Sequence, residues 1–240
     1  QLIDSSPIKN DYLDNIDIMF VRELTGGIYF GEKERLDDYA KDVCEYSTPE
    51  IQRITKVAAN LAQQRRGKIT SVDKANVMAT SQLWRSVTTD YLGINYNNIE
   101  LEHMLADAAT MHLLSRPGDF DVVLADNLFG DILTDEASML TGSIGMIPSA
   151  SLGNDNFGVY EPIHGSAPDI QGKELANPCG IILSVSMLLR YSLGLQEEAS
   201  AIDKAVESVL DDGIFTVDLS KDNFVSTVDM GNAIASKISS

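Results

Sequence analysis

Asp121-Val122-Val123-Leu124-Ala125-Asp126-Asn127-Leu128-Phe129-Gly130-Asp131-Ile132-Leu133-Thr134-Asp135 is the stretch on which the fold turns. Its first third, Asp121 to Ala125, is a short apolar run of the kind found in strands buried on both faces. A long helix follows, from about Leu128 to Leu140. Asp131 and Asp135 stand four residues apart on it, so they share one face and can converge on a hard cation. Taken alone, the same pair is an ordinary solvated face, strained slightly by like charge and eased by the positive end of the helix.

The same alternation extends upstream. The first fifteen residues are polar, contain Pro7, and read as a loop or a weak helical turn. Ile16 to Val21 is a second buried strand, broken off by Gly26-Gly27, and the charged stretch 32–47 reads as an exposed excursion. Thr48-Pro49-Glu50 marks a helix start, with Thr48 as cap and proline at the first helical position. Ile51, Ile54, Ala58, Leu61 and Ala62 form its apolar stripe, Arg65-Arg66 complement its negative end, and Gly67 stops it. Lys68 to Val72 is a strand, 79–92 a helix, and Ile99 opens another strand. A helix from about Asp107 to Leu114 ends at Arg116-Pro117-Gly118. Strands and helices alternating at these lengths predict an α/β fold.

Downstream the pattern changes. Residues 142–180 hold four of the seven prolines and read as irregular, which inside a compact domain points to function. Apolar helices follow at about 178–192, 196–211 and 224–238.

Composition narrows the function. The 240 residues carry 18 Lys+Arg against 36 Asp+Glu, a formal charge of −18. That balance excludes nucleic acid or an anionic membrane as a main partner, and no apolar run reaches the roughly 20 residues of a membrane span. Cys44 and Cys179 lack the spacing of a zinc site or disulfide scaffold. No signal peptide is visible, so a cytoplasmic location is expected, although a chain opening on Gln1 reads as one whose start was cut away.

Nucleotide fingerprints are absent in their usual forms. Gly26-Gly27 with Gly31 does not match GxGxxG, and Gly165 to Lys173 fails the P-loop spacing. Ser71-Val72-Asp73-Lys74-Ala75-Asn76 places a lysine at the carboxyl end of a strand, where α/β proteins put chemistry. Most lysines are surface residues, however, and Asp107 at a helix start is more often a cap than a ligand. His164-Gly165-Ser166-Ala167-Pro168-Asp169-Ile170, after Glu161-Pro162, combines backbone N–H groups suited to phosphate with an acid suited to a ribose, or forms only a tight turn.

Taken together and in order, four blocks resemble the isocitrate/isopropylmalate dehydrogenases, the metal-dependent β-decarboxylating dehydrogenases of 2-hydroxy acids. They are Arg22-Glu23-Leu24-Thr25-Gly26-Gly27-Ile28-Tyr29-Phe30-Gly31, then Ser71 to Asn76, Asn127 to Asp135, and His164 to Ile170. The resemblance runs from about residue 7 to the C-terminus. The family's N-terminal third, with two substrate-binding arginines, has no counterpart, so a truncated, weakly active form is expected. It implies a two-domain fold: residues 1–142 on the substrate and dimer side, with 24–46 as an arm, and 143–240 as an incomplete NAD-side domain.

The resemblance also assigns roles. Arg22 binds a substrate carboxylate through its planar fork. Asp107, Asp131 and Asp135 hold Mg²⁺ or Mn²⁺, Asp107 also meeting substrate. Lys74 is the general base or proton relay for the 2-hydroxyl, Tyr29 protonates the enol carbon, and Val77 lines the isopropyl pocket. Glu161, His164, Gly165, Ser166, Ala167, Asp169, Ile170 and Asn177 carry NAD, with Asp169 on the ribose favouring it over NADP. Lys74 and Asp107 reach into a partner's site, which implies a homodimer with shared active sites. The implied reaction converts 3-isopropylmalate to 2-oxo-4-methylpentanoate in leucine biosynthesis. Sister enzymes for isocitrate, homoisocitrate or tartrate are the alternatives, Leu24-Thr25-Gly26-Gly27 arguing against isocitrate, as is an inactive dimerisation and metal-binding remnant.

Overall fold

The protein is described by a computed structural model over residues 16–153 and 155–238; the polar stretch 1–15 expected as a loop lies outside the described residues. The chain forms two compact units that divide between Ala137 and Ser138.

The first unit is built on a parallel sheet of β1 (Met19–Arg22), β4 (Lys68–Asp73), β5 (Glu100–Leu105) and β6 (Val122–Ala125), in the order β1-β6-β4-β5. The remaining strands, β2 (Lys33–Arg35) and β3 (Ala40–Asp42), form a separate antiparallel hairpin. Its helices are α1 (Thr48–Gln63), α2 (Ala79–Asn95), α3 (Ala106–Ser115) and α4 (Asn127–Ser138). Side chains of a strand alternate between faces, and β6 shows why its sequence is continuously apolar. Val122 and Leu124 pack with Ile51, Ala58 and Trp84 of α1 and α2, while Val123 and Ala125 pack with Ala109, Leu113 and Leu133 of α3 and α4. Each fully buried Val or Leu stabilises the fold by roughly 1.5–3 kcal/mol. Trp84 also donates its indole N–H to Ser71 Oγ at 3.2 Å, which pins α2 to β4.

Several local expectations are corrected. β1 begins at Met19, not Ile16, because Asp17 gives both its carbonyl and its carboxylate to Arg65. The cap of α1 is Ser47, one residue before Thr48. Its N–H and hydroxyl donate to Glu50 at 2.7 and 2.6 Å, and those two bonds hold the Glu50 carboxyl below its ordinary range. Arg65 and Arg66 lie beyond α1 and do not serve its dipole. Arg65 Nε donates to buried Asp121 at 2.9 Å, and Arg66 bonds the carbonyls of Gly118 and Phe120. Together they fasten the α1–β4 link to the entrance of β6. Gly67 makes that link possible with a φ of +79°. The excursion at 32–47 contains the β2–β3 hairpin, whose short, polar strands carry no apolar alternation.

The second unit contains a hairpin in the stretch read as irregular: β7 (Pro148–Leu152) against β8 (Gly158–Pro162), antiparallel. Pro148 and Pro162 face each other at its outer end, where a missing N–H is tolerated. Three helices follow: α5 (Cys179–Met187), continued by a π turn over Leu188–Ser192, then α6 (Gln196–Asp211) and α7 (Thr227–Ile238). Cys179, Val206, Val209, Met230 and Ile234 form the core of this unit. Among the described residues, no helix is long and apolar enough to cross a membrane.

Candidate active site

The carboxyl edge of the parallel sheet gathers the charged residues. β1 ends at Arg22, β6 leads into Asp126 and Asn127, β4 into Lys74, and β5 into Asp107 at the start of α3. This is the edge where open parallel sheets bind ligands.

Arg22 is the best-defined group. Its Nε and Nη2 donate to Asn127 Oδ1 at 3.0 and 2.8 Å, and Nη1 pairs with Asp131 Oδ1 at 2.5 Å. The Tyr29 hydroxyl donates to the other Asp131 oxygen at 3.0 Å, and its ring lies 5.9 Å from the guanidinium carbon. Partial burial first, and the bond to Asp131 second, raise the Tyr29 pKa, so its proton is held at neutral pH. Gly130 makes room for this arrangement: a Cβ there would lie 2.7 Å from Arg22 Cγ. Arg22 therefore lies flat along the first turn of α4.

Buried polar residues carry this group from below. Glu23, 2% exposed, accepts from the N–H of Thr25 and Gly26 and from Arg53, which fixes the turn before Tyr29. Asn127 donates its backbone N–H to the Tyr46 hydroxyl at 3.0 Å and its side-chain amide to Gly26 O at 3.1 Å. Asp126 accepts from Phe129 N–H at 2.8 Å, capping α4, and burial pushes its pKa from 3.8 to about 6. Sequence reading missed Glu23, Asp126 and Asn127 as site residues. The only available signal was their position directly after strand ends.

Lys74 pairs with Asp107 at 2.5 Å, and that bond holds the Asp107 carboxyl below its ordinary range. Asp107 is in the first turn of α3 but is not its cap, which is Leu105. Beneath Lys74, buried Asp73 takes a two-pronged bond from Arg85 at 2.8 and 2.9 Å and accepts Ala75 N–H. Val77, 70% exposed, closes the turn after Lys74. Asp135 is exposed one turn beyond Asp131 on α4. The single chain thus forms two charged groups, Arg22–Tyr29–Asp131 and Lys74–Asp107. Among the described residues, no three His, Cys, Asp or Glu gather closely enough to hold a metal.

In the second unit, Glu161 is exposed on β8, and the loop from His164 to Ile170 lies largely in the open. Ala167 sits in the left-handed region with φ +41° and leads into a single turn at Pro168–Ile170. Asn177 is buried and occupied. Its amide donates to Asp218 at 3.0 Å, and its oxygen accepts Cys179 N–H at the start of α5.

The family model of isocitrate/isopropylmalate dehydrogenase matches residues 1–234. The chain belongs to the isocitrate/isopropylmalate dehydrogenase family. Its similarity to a 3-isopropylmalate dehydrogenase from Heyndrickxia coagulans is 49% identity over 99% of this chain and 66% of that protein. One from Pseudomonas syringae pv. syringae is 53% identical over 99% and 68%. The chain thus spans about two thirds of the length of these relatives. The crystal structure of isocitrate dehydrogenase from Methylococcus capsulatus is similar with a TM-score of 0.88 at 34% identity, covering 94% of this chain and 68% of that one. The α/β architecture with its parallel sheet is the one the resemblance implied.

Proposed function

We propose that this family member oxidises and decarboxylates 3-isopropylmalate to 2-oxo-4-methylpentanoate with NAD, the step of leucine biosynthesis for which its half-identical relatives are named, in the cytoplasm. The observation that carries this reading is the Arg22 fork, fixed on Asn127 and turned toward Tyr29 and Asp131 at the carboxyl edge of the sheet.

The donor set fits a hard cation, since Asp131 and Asp135 offer only carboxylate oxygens from successive turns of α4. When bound, Mg²⁺ or Mn²⁺ would supply Lewis acidity to the developing negative charge and NAD would supply the hydride acceptor. Arg22 holds a substrate carboxylate by paired N–H bonds. Lys74, once free of Asp107, accepts the proton of the 2-hydroxyl as C2 becomes a ketone. Carbon dioxide then leaves C3 with the bonding pair going into the enolate, and the Tyr29 hydroxyl returns a proton to that carbon. Asp107 would be the third carboxylate of the cation. Its pairing with Lys74 in one chain supports a homodimer in which both residues serve the neighbour's site. Exposed Met111 and Leu114 on α3 and Ile132 on α4 offer apolar surface for such a contact.

Val77 would face the isopropyl group. The His164–Ile170 loop, with its open backbone, would receive NAD, Asp169 holding the ribose, Glu161 near the nicotinamide and Asn177 near the adenine. Residues 1–142, with 24–46 as an arm, would be the substrate and dimer side, and 143–240 the NAD side. The test is NADH absorbance with Mn²⁺, NAD and a panel of 3-isopropylmalate, isocitrate, homoisocitrate and tartrate. Fastest turnover of 3-isopropylmalate is expected. A preference for another acid, or no turnover of any, overturns the reading.

A further inference from the structure

Asn127 is 1% exposed, yet both ends of its side-chain amide are engaged. Its Nδ2 can face Gly26 O only as a donor, and Arg22 can only donate, so the orientation of the amide is forced: nitrogen to Gly26, oxygen to Arg22. A guanidinium carries five N–H groups in one plane. Asn127 takes Nε–H and one N–H of Nη2, and Asp131 takes one from Nη1. The rest of the Nη1/Nη2 edge, the edge that matches a carboxylate, is directed away from Asn127.

The neutral amide matters as much as the direction. A carboxylate at 127 would accept the same two bonds but would place its second oxygen against the Gly26 carbonyl and add a second negative charge to the one Asp131 already sets against Arg22. We infer that Asn127 is a positioning residue: it aims the Arg22 fork at a substrate carboxylate without setting a second carboxylate beside the one Asp131 already supplies. The inference rests on the proposed function, in that the ligand of Arg22 is taken to be a carboxylate of 3-isopropylmalate.

The experiment compares Asn127→Ala and Asn127→Asp with the unaltered chain, reading KM for 3-isopropylmalate, KM for NAD, melting temperature and solvent exchange of the Arg22 Nε–H by nitrogen-15 NMR. Loss of a bond that orients a charged group predicts KM for 3-isopropylmalate up by about tenfold or more in both variants, with KM for NAD changed by less than about twofold. Arg22 Nε–H exchange speeds up in Asn127→Ala. A purely structural role predicts instead that the near-isosteric Asn127→Asp restores KM along with melting temperature, and that result overturns the inference. Should Asn127→Ala fail to fold, the Asn127→Asp comparison still decides. Should the unaltered chain turn over no 3-isopropylmalate, the proposed function fails. The exchange of Arg22 Nε–H in the unaltered chain and in Asn127→Asp then judges the clamp alone: rapid exchange in the unaltered chain refutes it, and slow exchange in both retains it.

Discussion

The carboxyl edge of the sheet and the loop from His164 to Ile170 hold their polar groups in opposite ways. At the edge, Arg22 and two of the turns rest on buried polar partners: Arg22 on Asn127, the turn at Lys74 on Asp73, the turn at Thr25–Gly26 on Glu23. The loop closes on itself, through Ile170 N–H to Ala167 O at 3.1 Å and Lys173 N–H to Ile170 O at 3.1 Å. A guanidinium is useful only if its plane is aimed, and aiming needs rigid partners below it. On the proposed reading, backbone N–H groups that receive a flexible dinucleotide would need little more than exposure.

The largest break in this contrast is expected from Arg22→Lys. Lysine keeps the charge but cannot fork between Asn127 and a substrate carboxylate. Initial rates should show kcat/KM for 3-isopropylmalate down by about a hundredfold or more, with NAD affinity spared. A loss below tenfold would mean that charge alone suffices and that the buried footing is incidental.

A smaller effect, in stability, is expected from Asp126→Asn. Folded Asp126 titrates near 6 and the unfolded residue near 3.8, so the folded state keeps the extra proton between them. Stability therefore falls as pH rises through that window and levels off above it. Asparagine caps α4 as well as aspartate does and carries no buried charge. Denaturant titration should find it more stable by about 2–3 kcal/mol at pH 7, with the gain gone below about pH 4. An equal gain at both pH values would trace the effect to packing.

The smallest change belongs to the loop. Ala167→Gly relieves a left-handed backbone at φ +41°, which should raise the melting temperature by the equivalent of about 0.5–1 kcal/mol. A drop would show that the Ala167 methyl makes a contact that matters more than the strain.

The sequence made the strands, the helices and the outward charges legible because each leaves a periodic or positional trace. β6 was visible as an uninterrupted apolar run, and Lys74 as a lysine after a strand. What escaped was the layer beneath. Glu23, Asp126 and Asn127 look like any polar residues at strand ends, and only burial separates a support from a surface group. The choice of Ser47 over Thr48 as cap of α1 was decided by Glu50, since Ser47 can exchange bonds with the residue three positions on. The β7–β8 hairpin hid behind its prolines, which mark strand ends as readily as loops.

Trp84 is the chain's one tryptophan, packed edge-on to Tyr46 with centroids 5.5 Å apart and only 2% exposed. Its emission therefore reports on the core of the unit that carries Arg22 and Lys74, and its red shift on denaturation follows the opening of that core. Far-ultraviolet circular dichroism sees the helices of both units. Followed together through one titration, the two signals would show whether the site-bearing half melts with the rest of the chain or on its own.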